Sequence, residues 1–117
     1  AKLRQAVEHA LRGGEPSAQV SGVLAAYDPA APPGARVVSL TLADGQPVRD
    51  DATYTVAVND FLAGQGDAFA AFADPVARKD TGIVDLDALI DYLKAQPQPV
   101  HAPADARLRA EAAAAAR

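Results

Sequence analysis

The sequence predicts an α+β fold, with an antiparallel or mixed β-meander packed against helices. Three observations carry this reading. Apolar residues alternate with period two over residues 19–27, 36–42 and 53–58. The connections between these runs are too short for helical crossovers, which favours antiparallel pairing. Apolar residues recur at helical spacing before the first run and again after the last, so helices flank the sheet.

Residues 2–12 open the chain as an amphipathic helix. Leu3, Val7 and Leu11 fall at i, i+4 and i+8, with Ala6 and Ala10 beside them. Gly13 and Gly14 supply a left-handed stop, and Pro16 prevents continuation. In the first strand, Val23, Ala25 and Tyr27 share one face. A stiff loop with three prolines, DPAAPPG at 28–34, leads to the second strand. There Val38, Leu40 and Leu42 alternate with Val37, Ser39 and Thr41. Asp44-Gly45 is a turn signal, Pro47-Val48 a short extended piece, and Asp50-Asp51 a second turn. The third strand, TYTVAV, puts Tyr54, Val56 and Val58 on one face.

The segment NDFLAGQGDAFAAF then begins as loop and is expected to turn helical near Asp67, a candidate N-cap, with Phe69 and Phe72 at helical spacing. Residues 86–94 form a further helix, because Leu86, Leu89, Ile90 and Leu93 lie at i, i+3, i+4 and i+7. Asp85 is its expected N-cap, Val84 and Leu89 form a hydrophobic staple, and Pro97 and Pro99 end it. The expected division is a domain over residues 1–97 and a Pro/Ala-rich tail over 98–117, the latter finishing as a short alanine helix at 104–116.

Composition narrows the function classes. With 117 residues and 12.0 kDa, the chain is one small domain or part of a larger one. Ala supplies 29 residues, five of them in the run 112–116, so the hydrophobic half of the composition yields only a modest core. The absence of Cys excludes a disulfide scaffold, a thiolate zinc site and a thiol nucleophile. A net charge of −4 argues against a partner with a nucleic-acid backbone. No stretch approaches the ~18 apolar residues of a membrane helix. The chain starts at Ala1 with no signal segment and reads as an excised or processed piece.

No catalytic constellation stands out. His9 sits mid-helix beside Glu8 and His101 in a Pro-rich loop, and neither pairs with a carboxylate at metal-ligand spacing. Ser17, Ser21 and Ser39 lack a nucleophile-elbow context. Gly64-Gln65-Gly66-Asp67-Ala68-Phe69 approaches a dinucleotide fingerprint, but Phe69 replaces the third glycine and the preceding strand belongs to no βαβ unit. Asp85 and Asp87 read as charges favourable to a helix start. The reading is therefore no catalytic and no metal-ligating residue in this chain.

Taken together, QVSG at 19–22, YDP at 27–29, the Pro/Gly loop, RVVSL at 36–40, ADGQP at 43–47, YTVAVNDFLAGQGDAF at 54–69 and DTG followed by DALIDYLK up to residue 94 are informative in their order. This run strongly resembles the C-terminal, substrate-binding domain of the 5'-nucleotidase / UDP-sugar hydrolase family, later part only. The opening AKLRQAVEHAL is similar to the family's G-x-x-L-x-x-ALEH segment, and the resemblance covers about four-fifths of the chain. It implies a nucleoside-recognising part of a metal-dependent phosphohydrolase that dephosphorylates nucleotides. The partners it implies are a nucleotide or nucleoside and an N-terminal metallophosphoesterase domain of the same protein. That domain would hold two divalent metal ions between His, Asp and Asn ligands. No cofactor, nucleic-acid polymer or membrane segment is expected for this chain. A bacterial setting and a periplasmic, secreted or cell-surface location are implied.

Residue by residue, the resemblance makes Phe61 one of two rings clamping the base and Asp67 the acceptor of the ribose hydroxyls. Asn59 stands at the asparagine of the family's N-D-F, and Gly64 and Gly66 let the backbone approach the sugar. The second ring and the substrate-binding arginines would belong to a segment upstream of Ala1. Base stacking serves nucleoside monophosphates, cyclic nucleotides and UDP-sugars alike. The family's G-G-D-G reads Gln65-Gly66-Asp67-Ala68 here, so if those positions need positive φ, Gln65 and Ala68 are strained. That departure motivates an alternative, a non-catalytic structural or interaction module with a degenerate nucleoside site. Phe69 and Phe72 read as core, and Asp67 stays open between N-cap and ribose acceptor.

Overall fold

A computed structural model describes residues 1–111. They form two compact units, residues 1–73 with 106–111, and Asp74–Asp105.

In the larger unit, α1 (Lys2–Ala10) buries the stripe its spacing predicts, with Val7 and Leu11 in the core and Leu3 partly covered. Burying each such side chain contributes about 1.5–3 kcal/mol before entropy is counted. The helix ends as the glycines require: Gly14 adopts φ +89° and donates its N–H to the Leu11 carbonyl. Strand β1 (Val23–Tyr27) pairs antiparallel with β2 (Val37–Leu42), Val23 opposite Leu42 and Ala25 opposite Leu40, with an irregularity between Ala26 and Tyr27. Val23, Ala25 and Tyr27 do share the buried face, and they meet Leu40, Val48, Val7 and Leu11 there.

Glu8 joins α1 to the sheet. Its buried carboxylate accepts the Arg36 N–H at 3.0 Å and the Val37 N–H at 2.8 Å, satisfying two amides at the start of β2. Asp28 caps the proline loop by accepting the Ala30 N–H. The Asp44-Gly45 turn forms as expected, with Gly45 at φ +89° and the Asp44 carboxylate accepting the Gln46 N–H. Pro47 makes an isolated bridge to Thr41.

In this unit three expectations are corrected. Residues 53–58 form no strand, although the alternation is present. A strand needs a neighbour for its amides, and no sheet edge among the described residues supplies one; Val56 and Val58 stay exposed. The alanine-rich tail is not helical where it is described. Leu108–Ala110 form β3, which lies parallel to β1 with Ala25 opposite Leu108, giving a mixed sheet of order β2-β1-β3. Pairing with the free edge of β1 outweighs local helix preference; residues 112–116 lie outside the described residues. Finally, no helix starts at Asp67. Its place is taken by two single 3-10 turns, Gly66–Ala68 and Ala70–Phe72, so Asp67 is not a helix N-cap. Positive φ at Asp67 and Ala68 breaks helical continuity there.

In the second unit, α3 (Asp85–Ala95) forms as the spacing predicts, with the N-cap at Val84 instead of Asp85. Asp85 is the first helical residue and its carboxylate accepts the Leu86 N–H. Leu86, Leu89, Ile90 and Leu93 are exposed.

Candidate functional site

The segment 59–69 gathers every residue singled out for ligand binding. Asn59 has extended backbone (φ −71°, ψ 164°), and its Oδ1 accepts the Leu62 N–H at 2.8 Å. It is the N-cap of the short helix α2 (Asp60–Ala63). Its side-chain oxygen thus shapes the loop. Gly64 closes α2 by donating to the Asp60 carbonyl, and a β-carbon there would crowd that same oxygen at 3.3 Å.

Next comes a run of left-handed backbone. Gln65 (φ 68°), Asp67 (φ 53°) and Ala68 (φ 59°) all take positive φ. The strain foreseen for Gln65 and Ala68 is therefore real. The left-handed region costs an L-residue roughly 1–2 kcal/mol, less for an Asp, whose short polar side chain tolerates it. Gly66, between them, has a different reason to be glycine. The Phe61 ring packs on its backbone, and a β-carbon on Gly66 would stand 2.5 Å from the Phe61 Cε1. Phe61 is nevertheless 59% exposed. One ring face is thus fixed by the turn and much of the ring is open to solvent.

The Asp67 carboxylate is exposed and makes no hydrogen bond or ion pair among the described residues. Its backbone is held instead. His9 Nε2 lies 2.7 Å from the Asp67 carbonyl oxygen. The His9 ring meets Phe69 edge-on at 4.5 Å, and Phe69 stacks on Phe72 at 5.6 Å. Phe69 is buried, in keeping with its reading as core, and Phe72 is half-buried.

Sequence reasoning passed over Glu8 and His9. The signal available for Glu8 was its place one turn before Leu11, on the buried side of α1. For His9 no signal existed, because its partner lies 58 residues away. A separate apolar groove of about 770 Å³ runs along α1, lined among others by Val7, Val23, Val56, Leu62 and Phe72; neither Phe61 nor Asp67 lines it. Among the described residues no group of three His, Cys, Asp or Glu could hold a metal ion.

Residues 1–74 match the family model described as 5'-nucleotidase, C-terminal domain. The chain belongs to that family. It is 32% identical over 103 residues to a snake venom 5'-nucleotidase of Gloydius brevicauda, a match covering 79% of this chain and 18% of that protein. A human 5'-nucleotidase is 32% identical over 102 residues, covering 78% and 18% respectively. A cell wall protein of Listeria monocytogenes is 43% identical over 63 residues, 52% of this chain and 8% of that one. In three dimensions the chain is similar to the crystal structure of a 5'-nucleotidase precursor from Thermus thermophilus. The TM-score is 0.82 at 34% identity, covering 93% of this chain and 23% of that one. The α+β architecture is thus that of a 5'-nucleotidase C-terminal domain. The chain spans less than a fifth of the venom and human relatives, 18% of each. No helix among the described residues is long and apolar enough to cross a membrane.

Proposed function

We propose that this chain is the nucleoside-recognising part of a metal-dependent 5'-nucleotidase-type phosphohydrolase, acting in nucleotide breakdown. One observation carries the reading: an exposed Phe61 ring braced on Gly66, next in sequence to an exposed, unpartnered Asp67 carboxylate. An aromatic face stacks on any base, for about 1–3 kcal/mol. A carboxylate accepts two hydroxyl hydrogen bonds and so prefers a cis-diol. Gly64 and Gly66 serve the site through Phe61: Gly64 closes the helix that carries the ring, and Gly66 leaves the room the ring occupies. Asn59 contributes by capping α2, which carries Phe61.

Cleavage of the phosphate ester is assigned to an N-terminal metallophosphoesterase domain of the whole protein, where bound divalent ions would activate water for attack at phosphorus. None of those steps runs through the residues described. A bacterial protein placed in the periplasm, secreted or held at the cell surface suits the venom and cell-wall names among its relatives.

The positive φ at Gln65 and Ala68 supports a second reading, a structural or interaction module whose nucleoside site has degenerated. Titration of the pure chain with adenosine, followed by amide NMR, separates the two. The first reading expects saturable shifts confined to residues 59–69, weakened about tenfold or more in Phe61→Ala. It also expects clearly weaker binding of 2',3'-dideoxyadenosine. No shift at millimolar adenosine would leave the module reading.

A further inference from the structure

Three non-glycine residues in a span of four hold left-handed backbone at the loop that carries Asp67. Such a conformation persists only when its surroundings over-determine it. Phe61 lies on Gly66 from one side. The other anchor comes from α1, a well-buried element of the same compact unit. His9 Nε2 approaches the Asp67 carbonyl at 2.7 Å, and its ring edge meets the buried Phe69 two residues further on. A carbonyl oxygen can only accept, so the nitrogen facing it carries the proton.

From this geometry we infer that His9 is a positioning residue for nucleoside recognition. Its Nε2–H holds the Asp67 peptide so that the Asp67 carboxylate is aimed at the ribose hydroxyls. His9 does not itself touch the ligand. The inference rests on the reading of Asp67 as the ribose acceptor. The mechanism is positional: a freed Asp67 peptide can rotate out of the left-handed region toward commoner backbone angles, carrying its side chain with it.

Two variants and one spectroscopic measurement test it on the 117-residue chain. His9→Phe keeps a ring against Phe69 and removes the donor, whereas His9→Gln keeps an amide donor near the Nε2 position and removes the ring. Long-range proton–nitrogen NMR of wild type should show the His9 proton on Nε2. His9→Phe should shift the Asp67 and Ala68 amide resonances and weaken adenosine binding about tenfold, the scale of one lost hydrogen bond. His9→Gln should stay within about threefold of wild type. Resonances of β1 and β2 should be unchanged in both. A bare Nε2 in wild type overturns the inference even if a variant fails to fold. So do unmoved Asp67 and Ala68 resonances in His9→Phe, or equal weakening by both variants. Failure of wild type to bind adenosine sinks the nucleoside reading and the inference about aiming. Protonated Nε2 and shifted Asp67 resonances would then show that His9 still anchors the Asp67 peptide, so that the failure lies in the ligand reading and not in the anchor.

Discussion

The Phe61 ring occupies the space that a side chain on Gly66 would need: an added β-carbon would lie 2.5 Å from Cε1 and 2.6 Å from both Cδ1 and Cζ. No real contact is that short, so the ring sits where it does because residue 66 is glycine.

Gly66→Ala should therefore displace the ring without unfolding the chain. Phe61 is exposed and free to swing outward, so stability measured by urea unfolding should change by less than about 0.5 kcal/mol. Adenosine affinity should fall as far as in Phe61→Ala. Wild-type affinity in Gly66→Ala would show that the braced orientation is irrelevant to binding.

Gln65→Gly and Ala68→Gly should each stabilise the chain. Glycine removes the left-handed penalty, and part of that gain is returned as unfolded-state entropy, leaving about 0.5–1 kcal/mol each. Urea midpoints measured by far-UV circular dichroism would test this; a lower midpoint in both variants would contradict the strain.

Glu8→Ala should be among the most damaging single changes. It strands the Arg36 and Val37 amides, buried or half-buried at the head of β2, and charge-assisted bonds of this kind make the loss about 2–4 kcal/mol. Glu8→Gln keeps one acceptor oxygen and should lose about half as much. Equal losses would place the effect in packing and not in the two hydrogen bonds.

Asn59→Ala should cost about 1 kcal/mol locally, read as faster amide exchange at Leu62 and Ala63, and Asn59→Asp should cost little because its carboxylate can cap in the same way. Unchanged exchange in Asn59→Ala would remove the capping role.

Local patterns in the chain foretell what local forces build. The spacing of Leu3, Val7 and Leu11 predicts α1 and its buried face. The alternation at 36–42 predicts β2, and Asp44-Gly45 the turn that follows it. The same holds for the strain at Gln65 and Ala68, since only glycine takes that backbone freely. The family resemblance located Phe61, Asp67 and their neighbours as one segment.

Whatever depends on a distant neighbour lies beyond such patterns. Alternation at 53–58 is present, yet a strand exists only where another edge accepts its amides, and none does among the described residues. Residues 108–110 carry a helix-favouring context but lie beside the open edge of β1, so they become β3. Asp67 is suited to cap a helix, but left-handed backbone at Asp67 and Ala68 breaks any helix there, with the Asp67 carbonyl held by His9 from 58 residues away. By itself, then, the sequence determined α1, α3, the antiparallel pairing of β1 with β2, and the family. The tertiary structure alone decided the third strand, the role of Glu8 and the anchoring of Asp67. The physical reason is that backbone propensity and side-chain periodicity act over a few residues, while hydrogen-bond satisfaction is settled by whatever the fold brings alongside.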